Sequence, residues 1–335
     1  METVIAPGGP TGPEVKRTRT PRVVIDEPGK ADKVFNAITF WSGVSVLVLL
    51  TIVGVFLLLR SQDALSETGV WTFLTRVEWR TDVSPPRIGV LGLLVGTVTV
   101  ALIAVIIAVP LGTLAALFIT EYSSAQVRKV LIGLVDLLAA VPSLLFGVWG
   151  FKFLSDQLVP VSQWLSRNLG FIPFFATEQG SDLTGSVFIA GVVVALMVLP
   201  IITAVSREVF SQTPPGEKEA ALALGSTRWG MIRTVVLPYG KGGIIGGSML
   251  ALGRALGETI AVALLLPQVP GVSARILEYG GATVSGFIAN RAGSDAFTVS
   301  GLMAAGLVLF LITLATNMMA SVVVAKSRSG AGVDL

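Results

Sequence analysis

Two residues of opposite charge stand inside an otherwise apolar stretch, GGIIGGSMLALGRALGETIAV, at Arg254 and Glu258. Four positions apart, they would be neighbours on one face of a helix. A lone charge near the middle of a bilayer costs at least about 2.5 kcal/mol, and pairing offsets much of that cost. The pair is either a structural link between helices or an arginine that meets an anion, with the glutamate positioning it. Because ionisable groups inside membranes are usually functional, we favour the second interpretation.

Other reactive chemistry is sparse in this sequence. It contains no Cys and no His, which removes thiol nucleophiles, imidazole bases and the usual zinc ligands, so we predict no metal site. Carboxylate chemistry does not need these residues, but the external loops offer no convergent acid cluster, so we also predict that the chain is not an enzyme. The phosphate-binding pattern G-x-x-x-x-G-K-[ST] is absent, since Gly29-Lys30 and Gly240-Lys241 lack the upstream glycine and the following hydroxyl. A net charge of +3 without a clustered basic face predicts no nucleic-acid partner.

The elements that position these charges are predicted to be membrane spans. The chain has 335 residues, of which 53% are hydrophobic and 13% charged, which indicates an all-α integral membrane protein. A disordered cytoplasmic tail is expected at residues 1–34, a six-span domain at 35–326, and a short cytoplasmic tail at 327–335. The six spans are predicted at about 36–60, 88–119, 131–153, 184–205, 240–266 and 300–325.

The distribution of Lys and Arg predicts the orientation of the spans. Basic residues concentrate in the amino-terminal tail, the second and fourth connections and the carboxyl terminus. The positive-inside rule therefore places both termini in the cytoplasm. On the opposite side, the run WTFLTRVEW, with Trp71, Phe73 and Trp79, is predicted to lie at the membrane surface as short helices and an aromatic belt. Pro110 and Pro142 are expected to kink their spans.

The fourth connection, residues 206–239, is mildly polar between two apolar segments and is called the polar loop below. Pro215 and Glu217 favour the start of a short helix, Gly225 a left-handed stop, and Ser226 or Thr227 the cap of a second helix. The result is a helical knob facing the cytoplasm. Its small residues and the apolar anchors Trp229 and Met231 suit a docking surface, although a hairpin resting on lipid headgroups fits the local sequence equally well.

Glycines recur along the fifth predicted span at Gly242, Gly246, Gly253 and Gly257. At about 100° per residue they fall within a sector of about 60°. A smooth face of this kind lets a neighbouring membrane helix approach closely. We therefore predict helix packing at these four positions.

The polar loop resembles the "EAA" coupling-loop signature of permease subunits of bacterial ABC importers. The resemblance rests on six residues at fixed spacing: Glu219, Ala220, Ala221, Gly225, Leu237 and Pro238. In that family the loop inserts into a separate ATPase subunit. The resemblance implies that Trp229 and these six residues belong to an ATPase-coupling loop and that ATP and Mg are bound by the partner, so that no cofactor is held by this chain.

A second resemblance concerns the cargo. Residues 253–259, GRALGET, closely resemble a segment of phosphate-specific ABC permeases, and AVPLG at 108–112, TEY at 120–122 and LLAAVPS at 137–143 agree with it. The likeness spans about residues 35–325, and Glu78-Trp79 in the first external segment favours the PstC type. It implies a type I importer fold in a bacterial plasma membrane, with Arg254 and Glu258 in the phosphate pathway. It also implies a PstA-type second permease, a PstB-type ATPase dimer and a PstS-type external binding protein, within membrane lipid.

Three alternatives to a phosphate permease are open at this point. The chain could carry another oxyanion, or it could be a proton-coupled secondary transporter that uses Glu258 or Asp136 as a relay. The coupling-type loop argues against the secondary transporter, and Asp136 lies near the cytoplasmic end of its span, where a structural role is the safer interpretation. An integral membrane enzyme is the remote third, because the external loops offer no convergent acid cluster.

Overall fold

The computed structural model describes residues 29–328. Most of the tail predicted at residues 1–34, and residues 329–335, lie outside this range. Within it, every regular element is a helix, and only isolated β-bridges join extended segments. The helices are α1 (Lys30–Arg60), α2 (Gln62–Thr68), α3 (Val70–Thr75), α4 (Leu91–Leu117), α5 (Ala125–Ala140), α6 (Ser143–Trp149), α7 (Ser155–Leu169), α8 (Val187–Ser211), α9 (Pro215–Ala223), α10 (Arg228–Met231), α11 (Leu237–Leu256), α12 (Ile260–Leu265), α13 (Val284–Arg291) and α14 (Ala296–Arg328). Three π-helical turns, Phe118–Tyr122, Gly150–Leu154 and Ile232–Val236, continue α4, α6 and α10.

Five helical segments of the described range are long and apolar enough to cross a bilayer, and the count is six if one bent pair forms a single span. The five are Lys30–Arg60, Leu91–Tyr122, Val187–Ser211, Arg228–Leu256 and Ala296–Val322. The bent pair joins α5 to the α6–α7 segment at an angle of 88°. By length and composition, this is a multi-pass membrane protein.

The chain divides into two units at Ile52 and Val53, inside α1. In the first unit the described residues form one helix, and it includes residues 30–34, which the sequence had placed in the tail. Asp32 explains the early start, because its carboxylate accepts a hydrogen bond from the Gly29 N–H at 3.0 Å. Most apolar side chains of this helix, including Trp41, are exposed, as lipid contact requires. The remaining helices belong to the second unit.

The core of the second unit forms where α4 packs along α8. Small residues make the approach close: a Cβ placed on Gly112 would lie 3.0 Å from Ile202, and one on Gly191 would lie 2.5 Å from Ile103. Ala101, Ala104 and Ala108 are fully buried in the same cluster, which α11 and α12 complete. This use of small residues is the usual way in which membrane helices pack, because lipid provides no hydrophobic force between them.

A second cluster buries the aromatic residues that precede α4. Phe73 is fully buried and Trp79 is 8% exposed. The Trp79 ring meets Phe73 and Phe287 in edge-to-face contacts, with centroids 6.3 and 5.1 Å apart. Helix α3 provides a short helix in the run WTFLTRVEW, as predicted, but the aromatic belt is wrong for Phe73 and Trp79, and of the three aromatic residues only Trp71 is exposed. These rings pack inward because α13 supplies a buried aromatic partner far along the sequence.

The third predicted span, 131–153, is a broken helix in the structure. Val141 has extended backbone angles, and α6 begins directly after Pro142. A proline disfavours the helical conformation of the residue before it and has no N–H to continue the helix. The kink expected at Pro142 is therefore confirmed. Pro110, in contrast, lies inside α4, which continues through it.

Candidate functional site

The predicted fifth span, 240–266, is interrupted at the pair of charges. The helix that begins at Arg228 and continues into α11 ends at Leu256, and α12 starts at Ile260. Gly257 closes the last turn, with its N–H 3.3 Å from the Gly253 carbonyl oxygen. Gly257 keeps right-handed backbone angles, with φ −90° and ψ −1°, so the helix ends there without a left-handed turn. The sequence prediction of one continuous helix through Glu258 is therefore wrong.

This interruption separates Arg254 from Glu258. Arg254 is exposed on the last turn of α11, whereas Glu258 is 8% exposed between the two helices. Neither residue takes part in the three ion pairs found among residues 29–328. The predicted neighbouring pair is not formed, because spacing of four residues brings side chains together only while the helix continues.

Glu258 is held by the start of α12 and by α13. Its Oε1 accepts a hydrogen bond from the Ala261 N–H at 3.3 Å, so the carboxylate caps α12. Its backbone carbonyl accepts a hydrogen bond from Ser285 Oγ at 2.5 Å. On the other side α6 approaches closely, since a Cβ on Gly147 would lie 2.8 Å from Ala261 Cα. Three helices thus fix the position of this acid.

Gln268 links the end of α12 to the start of α13. It is 8% exposed and has a φ of 55°, the left-handed conformation that residues with a side chain rarely adopt. Its amide donates to the Val262 carbonyl at 3.0 Å and accepts from the Thr283 N–H at 3.4 Å. A strained, buried residue of this kind is typical of functional sites. Sequence reasoning missed Gln268 and Ser285, because both act on residues that are distant along the chain.

Arg254 lies at a depth where its charge needs water or another chain. Its neighbours Ala255 and Leu256 are buried in the same cluster as Val194 and Val198, which lie in the middle part of α8. A guanidinium exposed at this depth cannot face hydrocarbon without a large cost. The face of α11 that carries Arg254 is therefore a wet or a protein-covered surface.

The glycines that approach α8 most closely are Gly240, Gly243 and Gly247, of which the last two lie one position after the predicted Gly242 and Gly246. A Cβ on Gly240 or Gly243 would lie 2.3 Å from Phe210 or Val209, and one on Gly247 would lie 3.2 Å from Val205. Gly247 is buried. The face of α11 that packs on α8 therefore carries these three glycines.

The four predicted glycines lie elsewhere on the helix. Gly242 and Gly246 are half-buried. Gly253 approaches α14, where a Cβ would lie 3.1 Å from Asn317 Oδ1. Gly257 is exposed, and the nearest atoms to a Cβ there belong to its own turn. Close packing within this chain is therefore found at Gly253 and not at Gly257, where the helix ends.

The polar loop folds as expected into two short helices. We call residues 215–231, which comprise α9, α10 and their connection, the knob. Helix α9 begins at Pro215, and Gly225 has a φ of 87°. The N–H of Ser226 returns to the Ala221 carbonyl at 3.2 Å, and Thr227 Oγ1 accepts a hydrogen bond from the Gly230 N–H at 3.1 Å to cap α10. The predicted stop and cap are confirmed.

The knob exposes large apolar side chains immediately before the Arg228–Leu256 segment and in its first turn. Leu224 is 88% exposed and Trp229 54% exposed, and Leu222 lies beside them. Glu219, Ala220, Gly225 and Pro238 are also exposed, whereas Ala221 and Leu237 are half-buried. Met231, expected as an anchor for a partner, is instead 4% exposed in a cluster with Phe210 and Ile232. It is buried because α10 packs against Phe210 at the end of α8. Met231 therefore attaches the knob to the bundle, and Trp229 is the side chain of α10 that stays available to a partner.

A charged cluster joins two connections at the other end of the bundle. Arg275 pairs with Glu178 and, at 3.6 Å, with Glu278. The hydrogen bond and the charge of Glu178 raise the pKa of Arg275 above its ordinary value. Within residues 29–328, no group of three His, Cys, Asp or Glu side chains could hold a metal ion.

Comparison with known proteins places these features in a wider set. Residues 108–329 match the family described as "Binding-protein-dependent transport system inner membrane component". A Mycobacterium tuberculosis protein named "Phosphate transport system permease protein PstC 2" is 36% identical over 307 residues, which cover 90% of this chain and 94% of that protein. A Mycobacterium leprae protein named "Phosphate transport system permease protein PstC" is 38% identical over 285 residues, covering 84% and 87%.

Solved structures share the fold at lower identity. The chain of a bacterial alginate ABC transporter, in complex with an alginate pentasaccharide-bound periplasmic protein, matches with a TM-score of 0.56 at 17% identity. The match covers 87% of this chain and 93% of that one. The helical architecture is therefore that of an ABC importer permease.

Proposed function

This chain belongs to the family of binding-protein-dependent transport system inner-membrane components, and from that premise we propose that it is a permease subunit of an ATP-driven importer of inorganic phosphate. One observation carries the proposal: the likeness to phosphate transport permeases runs through nearly the whole chain, including the segment with Arg254 and Glu258. The subunit is a transport component and performs no covalent chemistry.

The knob is the surface for a separate ATPase. It exposes Leu224 and Trp229, the kind of large apolar side chains that anchor interfaces, around small residues that allow close approach. A hairpin resting on lipid headgroups would bury these side chains in the membrane surface instead. The ATPase binds ATP and Mg, and its movement reaches the spans through the knob.

Arg254 contacts phosphate in the pathway. Its guanidinium is exposed at membrane depth and unbonded to Glu258, so its donors are free to form charge-assisted hydrogen bonds with an oxyanion. In this proposal Glu258 also belongs to the pathway, and because its carboxylate accepts a hydrogen bond from the Ala261 N–H, it leaves the donors of Arg254 to the cargo. Together they make one side of a cavity that the second permease completes.

The complete importer contains four further parts in this proposal. A second six-span permease of PstA type forms the other half of the pathway, two PstB-type ATPase subunits bind the cytoplasmic side, and an external PstS-type protein delivers phosphate. The complex lies in the bacterial plasma membrane, with both termini of this chain in the cytoplasm.

The test is transport by the complex reconstituted in lipid vesicles. Phosphate uptake should require ATP and should survive collapse of the proton gradient, which separates this importer from a proton-coupled transporter. Arg254→Ala should lower uptake at least about tenfold, equivalent to about 1.4 kcal/mol, whereas Arg254→Lys should keep part of it. Arg167→Ala, which removes an exposed arginine from α7, is the matched control and should transport normally.

Two results would contradict this function. The first is uptake by this chain alone, without a nucleotide-hydrolysing partner. The second is normal uptake by both Arg254→Ala and Glu258→Gln in a complex that assembles fully, which would remove both residues from the pathway.

A further inference from the structure

A partly buried ion pair fastens the knob to the end of α4. Lys218 Nζ in α9 lies 2.6 Å from Glu121 Oε1, and the side chains are 21% and 7% exposed. The two residues are 97 positions apart in the sequence. A charge this well covered is costly unless its partner stays in place. The pair therefore constrains where α9 can lie relative to α4.

Glu121 is the fixed side of this pair. It lies in the π-helical turn Phe118–Tyr122, which continues α4 without a break. Arg128 holds this turn, because its Nε donates to the Ile119 carbonyl at 3.0 Å and its Nη2 to the Thr120 carbonyl at 2.7 Å. Because α4 packs along α8 in the core, a force that moves the backbone at Glu121 also acts on α4 and on the helices packed against it.

Lys218 is the side that moves with the knob. Helix α9 contributes no buried residue, and only Ala221 packs partly against the cluster around Phe210. So few apolar contacts would let α9 slide along the bundle. The ion pair prevents this, because its charge-assisted hydrogen bond requires a fixed distance and angle between Lys218 and Glu121. A second, looser contact also joins the knob to this turn: the Arg228 guanidinium lies 5.6 Å from the centre of the Tyr122 ring, a cation–π contact.

We propose that the Lys218–Glu121 pair transmits movement of the knob to α4, so that ATPase closure on the knob becomes a shift of the spans. The inference rests on the proposed function, because it assigns positioning residues to the same coupling surface. When the pair is broken, movement of the knob is no longer transmitted to α4. The ATPase then continues to hydrolyse ATP, but the transport pathway does not open and close with it.

The experiment measures ATP hydrolysis and phosphate uptake in the same vesicles containing the whole importer. Glu121→Gln and Lys218→Met should each keep ATP hydrolysis within about twofold and lower the phosphate transported per ATP at least about fivefold, a typical size for coupling between sites. The charge-exchanged double variant, Glu121→Lys with Lys218→Glu, should recover most of the ratio, as interacting pairs do.

The control is Glu178→Gln, which breaks the exposed ion pair to Arg275 at the other end of the bundle and should leave the ratio unchanged. A wild-type ratio in both single variants would overturn the inference. So would loss of assembly in Glu121→Gln on size-exclusion chromatography, since the pair would then be structural, or failure of the double variant to recover. Absence of ATP-dependent uptake in the wild-type complex would instead refute the proposed function.

Discussion

Replacing Gly96 by alanine tests the packing that supports the candidate site. Gly96 lies in α4, and an added Cβ would be only 2.0 Å from the carbonyl oxygen of Ala282, ahead of α13. The obstacle is backbone, so no side-chain rotation relieves it, and the connection must move by about 1 Å or more to reach ordinary contact distance. The same movement stretches the buried hydrogen bond from the Val284 N–H to Thr97 Oγ1, now 2.9 Å.

The expected cost follows from three contributions. Overpacking of this kind costs about 1–3 kcal/mol, loss of the hydrogen bond adds about 1 kcal/mol, and alanine regains about 1 kcal/mol over glycine inside a helix. The net destabilisation is about 1–3 kcal/mol, which at about 2–4 °C per kcal/mol lowers the melting temperature by several degrees. Heating the detergent-solubilised protein and measuring the surviving monodisperse fraction by size-exclusion chromatography gives this temperature.

Gly133→Ala is the matched control, because it makes the same change inside α5, where no atom other than the backbone of its own helix lies within 4 Å of the new Cβ. This control should melt at the wild-type temperature or slightly above it. The reasoning is refuted if Gly96→Ala melts as high as Gly133→Ala. Gly96→Ala should also lower phosphate uptake, since the shifted connection leads into α13, which carries the Ser285 hydroxyl that holds Glu258.

Three further variants test separate parts of the structure. Gly225→Val places a branched side chain at a φ of 87°, so the connection between α9 and α10 must change shape and co-purification of the ATPase should fall. Because α9 buries no residue, the strain is relieved within the knob, and the melting temperature should stay within about 2 °C of wild type. Unchanged co-purification would contradict the docking role. Ser285→Ala removes the donor to the Glu258 carbonyl, and should lower uptake without affecting ATPase binding; normal uptake would make this contact dispensable. Hydrogen bonds from Thr298 lower the pKa of Asp295 below its ordinary value of 3.8, so its stabilisation of α14 is complete above that pH and is lost as the pH falls through the lowered value. Asp295→Asn should therefore flatten the acid limb of the stability profile, and an unchanged profile would contradict this.

Hydropathy predicted the helices well and their ends poorly. Hydropathy locates the apolar part of a span, whereas a helix ends where its terminal backbone N–H and carbonyl groups find hydrogen-bond partners. The last helix begins at Ala296 because Asp295 caps it, four residues before the predicted start of that span. The helix of the fifth predicted span begins at Arg228 because Thr227 caps it, twelve residues before the predicted start. Caps of this kind lie in polar sequence, outside the window that locates the span.

The glycine faces of α11 show a limit of a different kind. The sequence contains two adjacent stripes, one through Gly242 and Gly246 and one through Gly243 and Gly247. Periodicity predicts that glycines pack and does not choose between neighbouring stripes, because the choice depends on where α8 lies. The second stripe meets α8, with the Cβ of a residue at 243 falling 2.3 Å from Val209. Gly242 and Gly246 of the first stripe are half-buried, so packing against a neighbouring membrane helix stays a prediction for them.

The interruption at Gly257 bears on the two interpretations of Arg254 and Glu258, a structural ion pair or an arginine that meets an anion. On a continuous helix, Arg254 and Glu258 would neutralise each other, and a purely structural pair would satisfy both. In the structure the helix ends between them, the acid turns to the Ala261 N–H, and the arginine is left exposed. A structural role gives no reason to separate a pair whose contact offsets the cost of burial. An arginine that must bind and release an anion has such a reason, since a permanent carboxylate partner would compete with the cargo for the same donors. The local sequence cannot reveal this, because the Ser285 hydroxyl that helps to hold the acid lies 27 residues away.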